Sequence, residues 1–191
     1  MINSIVVVDN IIPKSYQDLI EQALLGETQS PWYIVNDVSY SDHGFENNNP
    51  GFVNVFYEKD AVTSPTLNLL LPLLHTCFER VNYTFQGKII TARSFLQFPD
   101  GTPSTPNNPH IDSKFPHLVC LYYVNDADGD TVLYEQTSEN LPIEHASTAS
   151  FIEKQRVTPK KGRVVIFDGK YYHSSSNPAN GRRCVINFDV V

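Results

Sequence analysis

From Lys88 to the C-terminus the chain is a succession of short apolar, β-branched and aromatic runs cut by turn signals, and this pattern most restricts the folds open to it. Residues 89–98 read as a long strand. Shorter strands are expected around Ile111 and over residues 118–124, 131–135, 150–157, 163–167 and 183–190. Asp126-Ala127-Asp128-Gly129 and Pro159-Lys160-Lys161-Gly162 supply turns between them. Residues 99–109 carry Pro99, Pro103, Pro106 and Pro109 and form a loop too rigid for either regular element. Strands this short and this closely spaced bury their apolar faces as a sandwich or barrel.

The first part of the chain mixes both kinds of signal. Residues 5–8 are a short β run. Pro13 opens a helix in which Tyr16, Leu19, Ile20, Ala23 and Leu24 recur at helical spacing, and Gly26 stops it. Residues 32–38 and 52–57 are strand candidates, separated by a polar loop with Asn47-Asn48-Asn49-Pro50-Gly51. Ser64-Pro65 predicts a second helix start. Leu67, Leu70, Leu71, Leu74, Phe78 and Val81 keep one face of it, with Pro72 inside the pattern expected to kink or restart it. The expected architecture is mainly β with flanking helices packed on one outer face.

A length of 191 residues suits a single domain, here residues 1–87 as a mixed helix and strand lead-in and residues 88–191 as the β core. A hydrophobic content of 41% excludes disorder as the main state. A net charge of −7 without any Lys/Arg-rich run argues against a nucleic acid partner. Cys77, Cys120 and Cys184 are odd in number and flanked by apolar residues, as buried reduced thiols in a reducing compartment would be. No apolar run approaches the roughly 20 residues a membrane span needs, and no basic, apolar leader opens the chain. A cytoplasmic location is expected.

The chemistry-bearing residues cluster in the β region. In His110-Ile111-Asp112 an i, i+2 spacing on a strand would aim an imidazole and a carboxylate at one point. A chain of this composition carries roughly one His-x-acid triplet by chance, so spacing alone assigns nothing. His173 follows the strand at residues 163–168 and a tight turn. Two His and one carboxylate form the facial set of non-haem Fe(II) oxygenases, which leaves coordination positions open. Arg182 and Arg183 open the last strand. There Cys184, Ile186 and Phe188 share one face and Arg183, Val185 and Asn187 the other. An arginine turned into a barrel needs an anionic partner, and its guanidinium fork matches a carboxylate.

These pieces, in this order, resemble the Fe(II)/2-oxoglutarate-dependent dioxygenases, particularly their prolyl-hydroxylase-like branch. They are His110-x-Asp112; Leu121-Tyr122-Tyr123-Val124-Asn125 with Asp128-Gly129-Asp130-Thr131-Val132; residues 159–167; His173; and Arg183-Cys184-Val185-Ile186-Asn187-Phe188. Short acidic members of this kind are similar to phage-encoded enzymes, which would place the protein in a host cytoplasm. The resemblance implies a double-stranded β-helix, that is, a cupin-like jelly roll. It implies Fe(II) held by His110, Asp112 and His173, with 2-oxoglutarate and dioxygen as co-substrates. It implies that the far carboxylate of 2-oxoglutarate pairs with Arg183 rather than Arg182, because Arg-x-x-x-Asn through Asn187 fits the family's last strand. Tyr123 is expected on that same carboxylate, and Tyr122 in packing. The implied reaction hydroxylates a C–H bond of a small-molecule or peptide substrate, a peptidyl or amino-acid-like one foremost, with succinate and carbon dioxide as co-products. A ligating Asp112 favours hydroxylation over halogenation. The competing reading is a non-catalytic jelly-roll module for ligand binding or structure.

Overall fold

The computed structural model describes residues 4–27, 30–38, 49–81, 83, 85, 87–101 and 105–191. The polar segment at 39–48, His43, Asn47, Asn48 and Pro103, singled out in the sequence, lie outside the described residues.

Two antiparallel sheets face each other. The larger contains β1 (Val6–Val8), β2 (Tyr33–Val35), β3 (Gly51–Glu58), β4 (Ala61–Val62), β5 (Ile89–Gln97), β6 (Leu118–Tyr123), β9 (Val164–Asp168) and β11 (Arg183–Val190). Its order is β1-β9-β6-β11-β5-β3-β2, with β4 paired to β3. The smaller sheet has β7 (Thr131–Thr137) between β8 (Glu153–Val157) and β10 (Tyr171–Ser175). β1 and β3, from the lead-in, are thus woven into the same sheet as the core strands.

The larger sheet is buried on both faces, which is why its central strands carry so few exposed polar residues. On β6, Leu118, Cys120 and Tyr122 face the helical side, while Val119, Leu121 and Tyr123 face the smaller sheet. On β11, Cys184, Ile186, Phe188 and Val190 take the helical side. The period-2 alternation read from the sequence of β11 is therefore a division between two buried environments. All three cysteines are buried and free.

Helices α1 (Lys14–Leu25) and α2 (Thr66–Arg80) cover the outer face. α1 buries Gln17, Ile20 and Leu24, whereas Leu19, expected on its apolar face, is 52% exposed. Tyr16 ties α1 to α2 by donating its hydroxyl to the Leu69 carbonyl. In α2 the Ser64 hydroxyl accepts the Thr66 N–H at 3.3 Å and satisfies one free donor of the first turn. The helix continues through Pro72 as one element, so the expected restart does not occur. Leu73 joins Leu67, Leu70, Leu74, Cys77 and Phe78 in the core, and Leu71 is only half-buried.

Other expectations change in detail. The strand expected over residues 32–38 shrinks to three residues, and the one over 150–157 begins only at Glu153, after a 3₁₀ turn over Ile143–Thr148. Lys161, expected in a solvated turn, pairs with Asp18 and Glu21 of α1 and pins that helix to the β8–β9 turn.

Candidate active site

His110 does not lie on a regular strand. It forms one isolated antiparallel bridge with His173, in which each residue's N–H donates to the other's carbonyl at 2.9 Å. His173 is the centre of β10, a five-residue strand missed in the sequence, which only Gly169 and Lys170 separate from the end of β9. The convergence expected from an i, i+2 strand spacing arises instead from this bridge and the bend after Ile111.

The bridge brings the two imidazole centroids to 4.5 Å. Asp112 Oδ2 is 3.3 Å from His173 Nε2, and Oδ1 is 4.0 Å from His110 Nε2. The three side chains are at most 11% exposed. Each His Nδ1 sits 3.2 Å from the carbonyl two residues earlier, Asn108 and Tyr171. A carbonyl only accepts, so Nδ1 carries the hydrogen and the Nε2 lone pair is left for the shared centre. The ligand atoms lie within 4.8 Å of one another. Two neutral imidazoles and a carboxylate are a donor set that suits a divalent first-row metal.

Electrostatics agree. Burial pushes the Asp112 carboxyl up, but His173, Arg93 and His110 together hold it well below the usual carboxylate range. Burial opposes charge on His173, yet the facing Asp112 carboxylate raises its pKa. Without a metal these groups partner each other.

Arg183 lines the same cavity as the triad, together with Val38, Phe95, Leu121 and Val185. It is 2% exposed. Its donors go to the Gly129 carbonyl at 2.8 Å, Gln97 Oε1 at 2.7 Å and Thr131 Oγ1 at 2.8 Å. Burial lowers its pKa. Among the described residues no carboxylate pairs with it. Arg182, the alternative, points away and donates to the Leu25 carbonyl.

Two expected residues sit differently. Tyr123 donates its hydroxyl to Thr131 Oγ1 at 2.8 Å and sets its ring 5.9 Å from the Arg183 guanidinium, and Thr131 is the one lining the cavity. Thr131 Oγ1 accepts twice and keeps its own hydrogen to donate. Asn187 lines the cavity, but its amide donates to Asp112 Oδ2 at 3.3 Å, beside the metal ligands rather than beside Arg183. Tyr122 packs on the helical side as expected.

Arg93, Gln97 and Asp189 were not picked out from the sequence as site residues. A signal existed: Thr91, Arg93, Phe95 and Gln97 alternate along β5, and two long polar side chains on one face of a central strand are costly unless they serve a site. His117 is buried, bonds the Phe115 carbonyl through Nδ1 and faces Asp189. Asp168 accepts the Lys170 N–H at 3.1 Å and caps a turn.

No protein-family model matches the chain, and no curated protein matches its sequence. Solved structures do match its fold. The non-haem α-ketoglutarate-dependent epimerase SnoN of nogalamycin biosynthesis superposes with a TM-score of 0.66 at 13% identity, over 98% of this chain and 77% of that one. A Trichoplax adhaerens prolyl hydroxylase, in complex with a hypoxia-inducible-factor peptide fragment, gives 0.58 at 16% identity, over 98% and 83%. The viral collagen prolyl hydroxylase of Paramecium bursaria Chlorella virus-1, as its 2-oxoglutarate complex, gives 0.55 at 10%, over 98% and 96%. The chain therefore has the double-stranded β-helix fold of the 2-oxoglutarate/Fe(II) oxygenases. Within that fold it carries a candidate His-Asp-His triad. Among the described residues no helix is long and apolar enough to cross a membrane.

Proposed function

We propose that this protein is an Fe(II)/2-oxoglutarate-dependent oxygenase, working as one catalytic domain, that hydroxylates a C–H bond. The observation that carries the reading is Arg183: a buried guanidinium with only neutral hydrogen-bond acceptors, in the cavity that also holds His110, Asp112 and His173. A buried cation without a counter-ion is expensive, and a bound dicarboxylate supplies one.

His110 Nε2, Asp112 and His173 Nε2 would hold the iron. Iron bound there would supply activation of dioxygen, with 2-oxoglutarate as the co-reductant that leaves as succinate and carbon dioxide. Arg183 binds the distal carboxylate of 2-oxoglutarate, and Thr131 donates its free hydroxyl hydrogen to the same group. Gln97 and Tyr123 hold Arg183 and Thr131 in place. Val38, Phe95, Leu121 and Val185 supply the apolar part of the cavity wall.

For the substrate we favour a peptidyl or amino-acid-like C–H donor. The notable support is that two of the similar folds are prolyl hydroxylases, one of them bound to a peptide fragment. Succinate release from 2-oxoglutarate in the presence of Fe(II) and oxygen tests the reading. Iron-dependent turnover that is abolished by His173→Ala supports it. Turnover undiminished in His173→Ala overturns the triad assignment, and turnover absent in well-folded wild-type protein returns the molecule to the class of non-catalytic jelly-roll modules.

A further inference from the structure

Arg93 and Asn187 stand directly opposite each other in the β5–β11 ladder. Their side chains reach the same carboxylate from two sides. Arg93 Nη2 is 3.5 Å from Asp112 Oδ1, and Asn187 Nδ2 is 3.3 Å from Asp112 Oδ2. Two residues further along β11, on the same face, Asp189 backs both of them. Its Oδ2 is 3.4 Å from Arg93 Nη2, and its Oδ1 is 3.5 Å from Asn187 Nδ2. Thr91 donates to Asp189 from β5. Asp189 is 1% exposed, so the support lies away from solvent.

The chemistry of the site sets a requirement that this arrangement meets. Three protein ligands, two oxygens of 2-oxoglutarate and one dioxygen fill six positions. That count closes only if Asp112 ligates through one oxygen. A carboxylate whose second oxygen is unengaged can instead chelate through both. Resting on the reading above, we propose that Arg93 is a positioning residue that engages Oδ1 of Asp112, so that the carboxylate ligates the iron through one oxygen and the 2-oxoglutarate positions stay open. Asp189 is its counter-ion.

The same cluster could be taken for a second metal site, because Asp112, His117 and Asp189 bring ligand atoms within 4.8 Å of one another. Arg93 already lies on both carboxylates. The cation of that cluster is the guanidinium.

The test compares wild type, Arg93→Lys, Arg93→Gln and the double variant Arg93→Gln/Asp189→Asn, which removes the buried pair together and so guards against simple misfolding. Mn(II) is titrated alone by the loss of its free electron paramagnetic resonance signal, and 2-oxoglutarate is then titrated into the Mn(II) form by calorimetry. Wild type should take one Mn(II) per chain. Arg93→Gln and the double variant should keep Mn(II) affinity within about threefold, because the oxygen released from Arg93 can itself take the metal, yet bind 2-oxoglutarate at least about tenfold more weakly, a loss of about 1.4 kcal/mol. Arg93→Lys should recover part of the loss. A merely structural residue would not split the two affinities. Unchanged 2-oxoglutarate affinity in the folded variants, or parallel loss of both ligands in the folded double variant, overturns the role of Arg93. Two Mn(II) per chain overturns it in favour of a second metal. A folded wild type that binds no Mn(II) removes the metal-site reading itself, and this inference with it.

Discussion

His110 and His173 are joined by a reciprocal pair of 2.9 Å backbone hydrogen bonds, although neither their spacing in sequence nor a regular strand at His110 links them. The two histidines are therefore fixed by main chain, and their side chains can change without removing that pairing. His110→Ala and His173→Ala should each abolish Mn(II) binding while leaving a cooperative melt. The loss of stability should be only about 1–2 kcal/mol, as for ordinary substitutions that leave the backbone pairing intact. Thermal unfolding alongside metal titration checks this; loss of the folded state in either variant would contradict it.

Protons and metal compete for His173. Burial resists charge on the ring, but Asp112 outweighs burial and raises its pKa above the ordinary 6.5. A raised folded-state pKa stabilises the metal-free fold fully below about pH 6.5, and that contribution is lost as pH rises through the raised value. Asp189, pushed up to about 6 by burial and then by Asp112, acts with the same sign at lower pH: its contribution is complete below 3.8 and gone above about 6. Asp112, held low, acts oppositely, contributing above 3.8 and losing that contribution as pH falls through its depressed pKa. Between about pH 6 and 8 the His173 effect dominates. Mn(II) affinity should fall as pH drops from 8 to 6, while the Tm of EDTA-treated protein rises. Mn(II) affinity independent of pH over that range would contradict the assignment of His173.

Arg183 should discriminate between the two ligands of the site. Arg183→Met removes a charge-assisted hydrogen bond, about 1.5–3 kcal/mol, or roughly 10- to 100-fold in 2-oxoglutarate affinity. Metal affinity should hold. At 100 times its Kd, 2-oxoglutarate should stabilise the wild-type metal complex by about 2.7 kcal/mol; at the same concentration Arg183→Met should keep only about 0.4–1.4 kcal/mol of that gain. An equal shift in Tm in both proteins would show that the cavity does not bind 2-oxoglutarate through Arg183.

Gly129 links a turn to that same pocket. Its carbonyl accepts Arg183 Nε at 2.8 Å, and a Cβ on it would stand 2.4 Å from the Ser176 carbonyl and 2.8 Å from Pro178 N. Both are backbone atoms that cannot swing aside. Gly129→Ala should destabilise by about 1–3 kcal/mol and weaken 2-oxoglutarate binding without touching the metal. Denaturant unfolding and calorimetry measure the two effects; a neutral outcome in both would contradict the close approach.

The alternation of β11 was legible because Cys184, Ile186 and Phe188 are apolar and Arg183 and Asn187 are not, so the period of 2 survives in the sequence even though both faces are buried. β10 was not legible: Tyr171–Ser175 has two small polar residues, and its pairing partners are distant in sequence. Pro72 misled because helix interruption was expected from its missing N–H, while the packing of Leu70, Leu73, Leu74 and Cys77 holds the helix across it. The Asp112 surroundings were hidden for a further reason. Arg93 and Asn187 become neighbours only through the register between β5 and β11, which no single strand encodes.

Fe(II) and 2-oxoglutarate are proposed to share one cavity. Anaerobic titration of the metal-free protein with both, watching for the weak visible iron-to-ketoacid charge-transfer band, tests it without any knowledge of the substrate. A band that needs both components and disappears in His110→Ala is the predicted result. Folded wild-type protein that develops no band with both components present would contradict it.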